Sequence, residues 1–378
     1  MTINTIKTTS NGVKLIYCTS IAFSNKLGNR AQVRAMAREF QKILRDNFWL
    51  GVNYKNMDDP SIKIICFSSA KSYVLAWRYM KFIGQNKIDW VYCREARLLF
   101  FLILLDKIVF HRRLKFIYEI HALLARDRVD AFIDKFLSRR VSLLIFITEN
   151  LRRLYLKKYN SPLSKTLLAP DAVDLAVFDL PITQTQARQQ LGLPWDKNIL
   201  IYTGKFKTME MDKGIKDILA AVKILNNPQI LFVAVGGSPK EIAFYQDLID
   251  RENLNQQVKL MPFCTQEDLA IYQKAADILM MPFPKNEHYS FFMSPLKMFE
   301  YLAAQRPIIA TDLPSVKEVL NNQNAIFCQP DDPADLAQKI KQVLIDNVFA
   351  QKIAAQAYQD AHKYTWEKRV GRIIDLIK

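Results

Sequence analysis

Apolar residues along this chain come in short, β-branched runs, separated by longer segments in which they recur every three or four positions. In the first half the runs fall at 13–20, 48–54, 62–69, 88–94, 114–121, 142–148 and 165–169. Between them, 29–45, 71–83, 95–109, 129–139 and 150–159 carry helical spacing. Short continuous apolar runs predict strands buried on both faces, and their alternation with amphipathic helices predicts parallel βαβ units. The second half repeats the scheme, with strands at 198–203, 230–236, 258–262, 278–282, 307–310 and 325–328. Its helices are expected at 215–225, 239–251, 266–275, 295–304, 316–321, 333–347 and 349–361, and a last helix spans 366–377. Leu180-Pro181, followed by a polar stretch to Gly192-Leu193-Pro194, reads as the linker.

The expected fold class is therefore α/β: two Rossmann-like, doubly wound parallel-sheet domains facing across a cleft, at the strand ends where such sheets bind ligands. The domains are expected at 1–182 and 183–362. A chain of 378 residues, half of them hydrophobic, can build a core in each.

Charge changes the picture because it is lopsided. Residues 1–185 carry 30 Lys/Arg against 15 Asp/Glu, whereas 186–378 carry 23 against 22. A basic first half attracts anionic lipid, nucleic acid or a phosphorylated acceptor. Two segments mix cations with Leu and Tyr, as surfaces touching anionic headgroups do: Arg112, Arg113 and Lys115, then Arg152, Arg153, Lys157 and Lys158. No nucleic-acid-binding motif accompanies them, so no nucleic-acid partner is expected. The five cysteines are scattered, with no Cys-x-x-Cys pair, so reduced thiols and no metal site are expected. Residues 1–11 show no apolar leader, and the longest apolar run, 98–105, is far short of the ~20 residues that span a bilayer. The expectation is a cytoplasmic protein associated peripherally with a membrane's inner face.

The strongest chemical signal is Ser294-Pro295-Leu296-Lys297-Met298-Phe299-Glu300-Tyr301-Leu302-Ala303-Ala304. Ser294 suits a helix N-cap and Pro295 the first helical position. Free N–H groups at such an end suit a phosphate. Lys297 in the first turn opposes the helix dipole unless an anion is present. Glu300, among apolar neighbours, needs a hydrogen-bond donor such as a ribose hydroxyl or a partner cation. Gly204-Lys205, after a strand, and Lys213-Gly214, opening a helix, offer close backbone approach and two point charges for a diphosphate. Their spacing is not that of a Walker motif. Gly28, ahead of a helix, suits an anion contact or a plain turn. Glu119 and His121 share one face at the end of a strand, where His121 suits either a substrate contact or a structural hydrogen bond.

Taken in order, these segments resemble glycosyltransferase family 4 over nearly the whole chain. Gly204-Lys205 with Lys213-Gly214 looks like the family's diphosphate site; 276–282, 294–304 and 306–312 look like its signature strand, helix and next strand. Pro170-Asp171-Ala172-Val173-Asp174 is similar to its Pro-Asn-Gly-Val-Asp linker, and Tyr92-Cys93-Arg94 and Tyr118-Glu119-Ile120-His121 match strand ends of a family subset. The resemblance implies a GT-B fold and a retaining transferase needing no cofactor or metal, with a UDP- or GDP-linked sugar bound by the second domain and an acceptor by the first. It also implies that the last helix packs back onto the first domain.

By resemblance, Lys205 and Lys213 hold the diphosphate and Glu300 the ribose. Gly204, Met293, Ser294, Leu296 and Lys297 surround the donor, His121 sits beside the transferred sugar, and Gly28 lies in the loop that closes over it. Two positions depart from the family: Phe292 stands where a Glu-x7-Glu pair would have its first member, and Lys205 replaces an arginine, losing the bidentate fork. The acceptor suggested by the basic half is lipid-linked or a polysaccharide or glycolipid precursor at the membrane surface. The alternative is a catalytically weakened GT-B protein serving as a membrane-associated binding or scaffold subunit.

Overall fold

The computed structural model describes residues 12–21, 28–54, 59–69, 71–123 and 128–378. Contacts divide the chain into two units. The first takes in the chain up to Ile147, Leu151–Ala169 and Trp366–Lys378; the second comprises Thr148–Asn150 and Pro170–Thr365.

Seven strands build the first unit: β1 (Leu15–Cys18), β2 (Phe48–Val52), β3 (Ile64–Cys66), β4 (Trp90–Cys93), β5 (Lys115–Ile120), β6 (Leu143–Phe146) and β7 (Thr166–Leu168). They pair in the order β3-β2-β1-β4-β5-β6-β7, and every pair is parallel. The crossovers carry α1 (Gly28–Leu44), α2 (Ser72–Asn86), α3 (Ala96–Leu105), α4 (Arg128–Arg140) and α5 (Glu149–Tyr159). Each strand was expected from its apolar run. β1, β2, β4 and β6 are buried along their whole length, as strands covered by helices on both faces must be.

In the second unit α6 (Leu175–Phe178) and α7 (Gln184–Leu191) precede β8 (Asn198–Thr203). The rest runs β9 (Lys207–Thr208), β10 (Met211–Asp212), α8 (Ile215–Leu225), β11 (Ile230–Gly237), α9 (Pro239–Arg251), β12 (Val258–Pro262), α10 (Gln266–Ala275), β13 (Ile278–Met281), α11 (Leu296–Ala303), β14 (Ile308–Thr311), β15 (Ile326–Cys328), α12 (Pro333–Ile345) and α13 (Asn347–Ala361). The large sheet has the order β12-β11-β8-β13-β14-β15, again all parallel. Along β8, Ile199 and Ile201 enter one core cluster and Leu200 and Tyr202 the other, so the period-two alternation feeds apolar layers on both faces. Both sheets reverse direction where the first strand meets the fourth, at β1/β4 and β8/β13. In such folds the crevice beyond these strand ends is where ligands bind.

Two expectations fail locally. The 180–194 stretch is not an open linker: Thr183 and Gln186 form a capping box that starts α7, and Arg188 is buried with its guanidinium on Asp277 and on the Ala275 carbonyl. Residues 316–321 form turns rather than a helix. Val316, Val319 and Leu320 have helical spacing, but the segment is too short to propagate and is held by its own turn hydrogen bonds.

The final helix, α14 (Trp366–Ile377), belongs to the first unit. Its buried face is Trp366, Val370, Ile373, Ile374 and Ile377, with Arg369 set among them. Arg369 is 1 % exposed, and its guanidinium donates to the Ala169 carbonyl and to Glu119.

Candidate functional site

The lysines singled out in the second unit are brought together by a hairpin. β8 ends at Thr203, and Gly204 follows with φ 110°, turning the chain so that Lys205 leaves the sheet. β9 and β10 then pair antiparallel, and the Lys213 N–H bonds to the Phe206 carbonyl at 3.1 Å, so Lys213 returns beside Lys205. The hairpin turns on Met209 and Glu210, both left-handed at φ 51° and 61°.

Gly214 is the N-cap of α8 at φ 91°, and a Cβ there would lie 1.9 Å from the Pro282 carbonyl oxygen, so only glycine fits. The Asp212 carboxylate accepts the Gly214 N–H and the Tyr245 hydroxyl and makes no ion pair with Lys205 or Lys213 among the described residues.

Lys297 joins this cluster from α11. Its methylene and ammonium lie 3.4 and 3.5 Å from the Cβ position Gly204 lacks. The ammonium stands 3.3 Å from the centroid of the Tyr202 ring and has no hydrogen-bond partner in the described residues, although Lys297 is buried. Burial, and then the charge of Lys213, holds its amine well below the ordinary lysine range. Lys213 is pushed from 10.5 to about 8, by burial first and then by the charge of Lys205. A buried ammonium supported only by a ring is costly, so the cluster is built for an anion. The site lies beyond β8, beside the switch point.

Glu300, one turn on from Lys297, is buried and accepts one bond, from Gln273 Nε2 at 3.3 Å. Burial pushes its carboxyl from 4.5 up to about 7, with Gln273 and Lys297 opposing. The Oε1 of the same Gln273 is buried without a partner among the described residues. Lys297, Glu300 and Gln273 thus present unspent hydrogen-bonding capacity in one place, which natural interiors rarely tolerate without function.

Ser294 does not cap α11 as expected. Pro295 is the N-cap, the helix begins at Leu296, and the Ser294 hydroxyl accepts the Asp171 N–H at 3.0 Å. With its side chain engaged in that backbone bond, Ser294 serves to anchor the 170–174 segment. Met293 is buried, and Leu296 is half-buried at the helix start. Phe292 is buried in the turn before the helix, so no carboxylate stands at that position.

The first unit holds a separate polar cluster. Glu119, fully buried on β5, bonds to His121 Nε2 at 2.5 Å, Gln32 Nε2 at 2.9 Å, Arg369 Nη2 at 3.0 Å and the Tyr92 hydroxyl. Arg94, after β4, reaches Gln32. Burial alone would raise the Glu119 carboxyl, but Arg369 and His121 hold it well below the usual range. His121 is driven from 6.5 to about 4 by burial and then by the charge of Arg94, against the pull of Glu119. Gly28 is the first residue of α1, and the loop before it, 22–27, lies outside the described residues.

The seven basic residues are not near His121. Arg112 and Arg113 precede β5 and Lys115 opens it, at the opposite end of that strand from His121, about 20 Å away at ~3.3 Å per residue. Lys157 and Lys158 close α5, whose return run brings them toward the same sheet edge; Arg152 and Arg153 lie earlier on it. All but the half-buried Arg152 are exposed.

Sequence reasoning missed an apolar groove of about 310 Å³ lined by Tyr73, Val74, Trp77, Phe101, Leu104 and Leu105. Lys71, Lys81 and Arg112 stand over the rings of Tyr73, Trp77 and Phe110 around it. It also missed Gln273, Tyr202 and Arg369. The one available signal was a lone arginine on the apolar stripe of α14. Among the described residues no group of His, Cys, Asp or Glu could hold a metal ion, and no helix is long and apolar enough to cross a membrane.

Comparison with known proteins agrees with this architecture. Residues 183–360 match the family described as glycosyl transferases group 1. The chain is 23% identical over 235 residues to a D-inositol 3-phosphate glycosyltransferase of Nocardioides, a match covering 58% of this chain and 50% of that protein. It thus spans about half the length of the curated relatives it matches. Among solved structures, sucrose-phosphate synthase from Thermosynechococcus elongatus superposes with a TM-score of 0.79 at 18% identity, over 97% of this chain and 98% of that one. Anabaena Alr3699/HepE in complex with UDP gives 0.77 at 17%, over 97% and 99%. The chain has the GT-B fold, and residues 183–360 of its second unit are similar to the glycosyl transferases group 1 family.

Proposed function

We propose that the protein is a retaining glycosyltransferase that moves a sugar from a nucleoside-diphosphate donor, UDP- or GDP-linked, to an acceptor. The observation that carries this reading is the Lys205–Lys213–Lys297 cluster, which makes no ion pair among the described residues and on which Glu241 and Glu300 act too weakly to offset burial, set beyond β8 in a unit similar to the group 1 family. A solved neighbour is a complex with UDP, in keeping with a nucleotide at such a site. When the glycosidic bond to the diphosphate breaks, negative charge grows on the leaving oxygens. Fixed ammonium groups in a partly dehydrated site stabilise that charge, each by a few kcal/mol, on the scale of an oxyanion donor. Glu300, one helical turn from Lys297, holds the ribose hydroxyls, which satisfy its open acceptor sites.

The acceptor is a lipid-linked or polysaccharide or glycolipid precursor at an anionic membrane surface, with the protein on its cytoplasmic side. Charge supports this. The first unit carries 34 Lys/Arg against 13 Asp/Glu, whereas the second carries 19 against 24. The apolar groove with its cationic rim has the composition of a surface that beds into headgroups. Because the basic residues sit far from His121, their part is to hold the surface rather than the reacting sugar. Phe292 favours one other reading, a catalytically weakened GT-B protein acting as a membrane-associated binding subunit.

The test is thermal stabilisation by a panel of UDP-, GDP- and ADP-sugars, with nucleoside diphosphate release measured alongside. Stabilisation by one nucleotide class, lost in Lys213→Ala, with slow release of its diphosphate, supports the transferase. Stabilisation without any release, even with membrane extracts as acceptor, favours the binding subunit. No stabilisation contradicts both.

A further inference from the structure

The Glu119 cluster fixes which nitrogen of His121 carries the proton. Resting on the transferase reading above, we propose that His121 acts as a neutral hydrogen-bond acceptor, offering the Nδ1 lone pair to a substrate hydroxyl, and that Glu119 and Arg369 are the positioning residues that hold it in this state.

What a carboxylate can do in a hydrogen bond depends on its ionisation. Ionised, it only accepts. Glu119 is fully buried, and its two oxygens receive Arg369, Gln32, Tyr92 and His121. With a permanently charged guanidinium 3.0 Å from Oε2, ionisation is the favoured state. The His121 nitrogen facing Oε1, Nε2, must therefore be the one bearing hydrogen.

A second proton on Nδ1 would make an imidazolium in a pocket that already holds two guanidinium groups. Burial opposes it most, Arg94 and then Arg369 oppose it further, and Glu119, its attraction shared with Arg369, does not outweigh them. The other titratable groups around this cluster are Tyr17, Tyr92 and Glu95. Nδ1 remains as a lone pair with no partner among the described residues, on a side chain a quarter exposed. It can accept from a hydroxyl but cannot donate, which excludes a general-acid role at neutral pH.

The device is long-range in sequence. Glu119 lies on β5 and His121 just past its end, but Arg369 lies 250 residues beyond Glu119, on α14. The terminal helix therefore bears on the protonation of the site, not only on the packing of the first unit.

Long-range ¹H–¹⁵N spectra of the ¹⁵N-histidine-labelled full-length protein read the ring state directly. The chain has four histidines, so His121→Asn assigns the signals. The expected unliganded result is a neutral ring protonated on Nε2 that does not titrate between pH 9 and pH 5. An Nδ1-protonated tautomer, or an imidazolium at pH 7, overturns the proposal whatever the substrate is.

Arg369→Met removes the charge that keeps Glu119 ionised, so His121 should lose its single tautomer or titrate nearer 6.5; Arg369→Lys should restore the wild-type pattern. Should Arg369→Met fail to fold, Glu119→Gln gives the same comparison. An unaltered ring in the folded variants overturns the positioning roles. Addition of a nucleotide sugar shown by thermal shift to bind should move the Nδ1 resonance, and the nucleoside diphosphate alone should not. An unmoved Nδ1 with a bound nucleotide sugar overturns the acceptor role. If no nucleotide sugar binds, the transferase reading fails, while the ring state is still decided by the unliganded spectra.

Discussion

Lys213→Met should make the unliganded protein more stable and the protein's response to nucleotide weaker. In the folded chain the Lys213 amine is pushed from 10.5 to about 8 by burial and by Lys205. At ~1.4 kcal/mol per tenfold change in proton affinity, holding that charge costs the fold about 3 kcal/mol at pH 7. Below pH 8 the amine is protonated in both folded and unfolded chains, so the cost is borne in full. Between 8 and 10.5 the folded chain releases its proton first, and stability rises with pH as the cost fades. Methionine keeps the apolar stem and discards the charge. Allowing for local relaxation, the gain at pH 7 should be ~2 kcal/mol, or ~4–8 °C in the melting temperature of a unit of this size. Calorimetry at pH 7 and pH 10.5, with and without saturating nucleoside diphosphate, measures both effects. The gain should shrink at the higher pH, and the ligand-induced shift should be largely lost. A variant less stable than wild type at pH 7, or one with an undiminished nucleotide shift, would refute the reasoning.

Glu300→Gln should flatten the acid limb of the stability profile. Its carboxyl, raised from 4.5 to about 7 by burial, keeps its proton in the fold while the unfolded chain releases it, so wild-type stability falls as pH rises across that window. Urea melts at pH 5 and pH 8 should differ less in the variant, and nucleoside binding should weaken; an unchanged pH slope would count against the buried-carboxylate account. Gly214→Ala places a Cβ 1.9 Å from a backbone oxygen at φ 91° and should cost ~3 kcal/mol or more; denaturant melts showing a loss under ~1 kcal/mol would mean the α8 start is not held as described. Ile108→Asp with Val109→Asp, in the helical turn Asp106–Phe110 where these residues are 61% and 47% exposed, should leave folding intact and abolish flotation with anionic vesicles; undiminished flotation would remove this exposed apolar turn from the membrane reading.

The parts of this account that were legible in the sequence are those in which one physical demand dominates. Strands covered on both faces must be apolar throughout, so all thirteen strands of the two large sheets could be read from their runs. What was not legible depended on chemistry without that pattern. The β9–β10 hairpin turns on Met209-Glu210, which lacks the Asn-Gly signature of left-handed turns. α7 buries little besides Ala187 and Arg188, so it has no apolar stripe, although the Thr183/Gln186 box was there to be found. The anionic character expected of the Lys297 ligand followed from the helix dipole. The ring of Tyr202 beneath that lysine and Gln273 beside Glu300 could not, because they arrive from other elements. Arg369 is the clearest case: a buried charge on an apolar helix face announces a partner, but only the fold names Glu119.

The central claim is that the lysine cluster of the second unit binds a diphosphate, and that the buried amines of Lys213 and Lys297, held below the ordinary lysine range, gain protons when it does. Isothermal titration of UDP and GDP at pH 8.5, in buffers of differing ionisation enthalpy, tests it directly. With the Lys213 amine at about 8 and that of Lys297 also held low, diphosphate binding should pull protons onto the protein, and this uptake should be reduced in Lys213→Met. Binding by either nucleotide with proton uptake is the predicted result. Binding without any proton change, uptake undiminished in Lys213→Met, or uridine and guanosine binding as tightly as their diphosphates would contradict it.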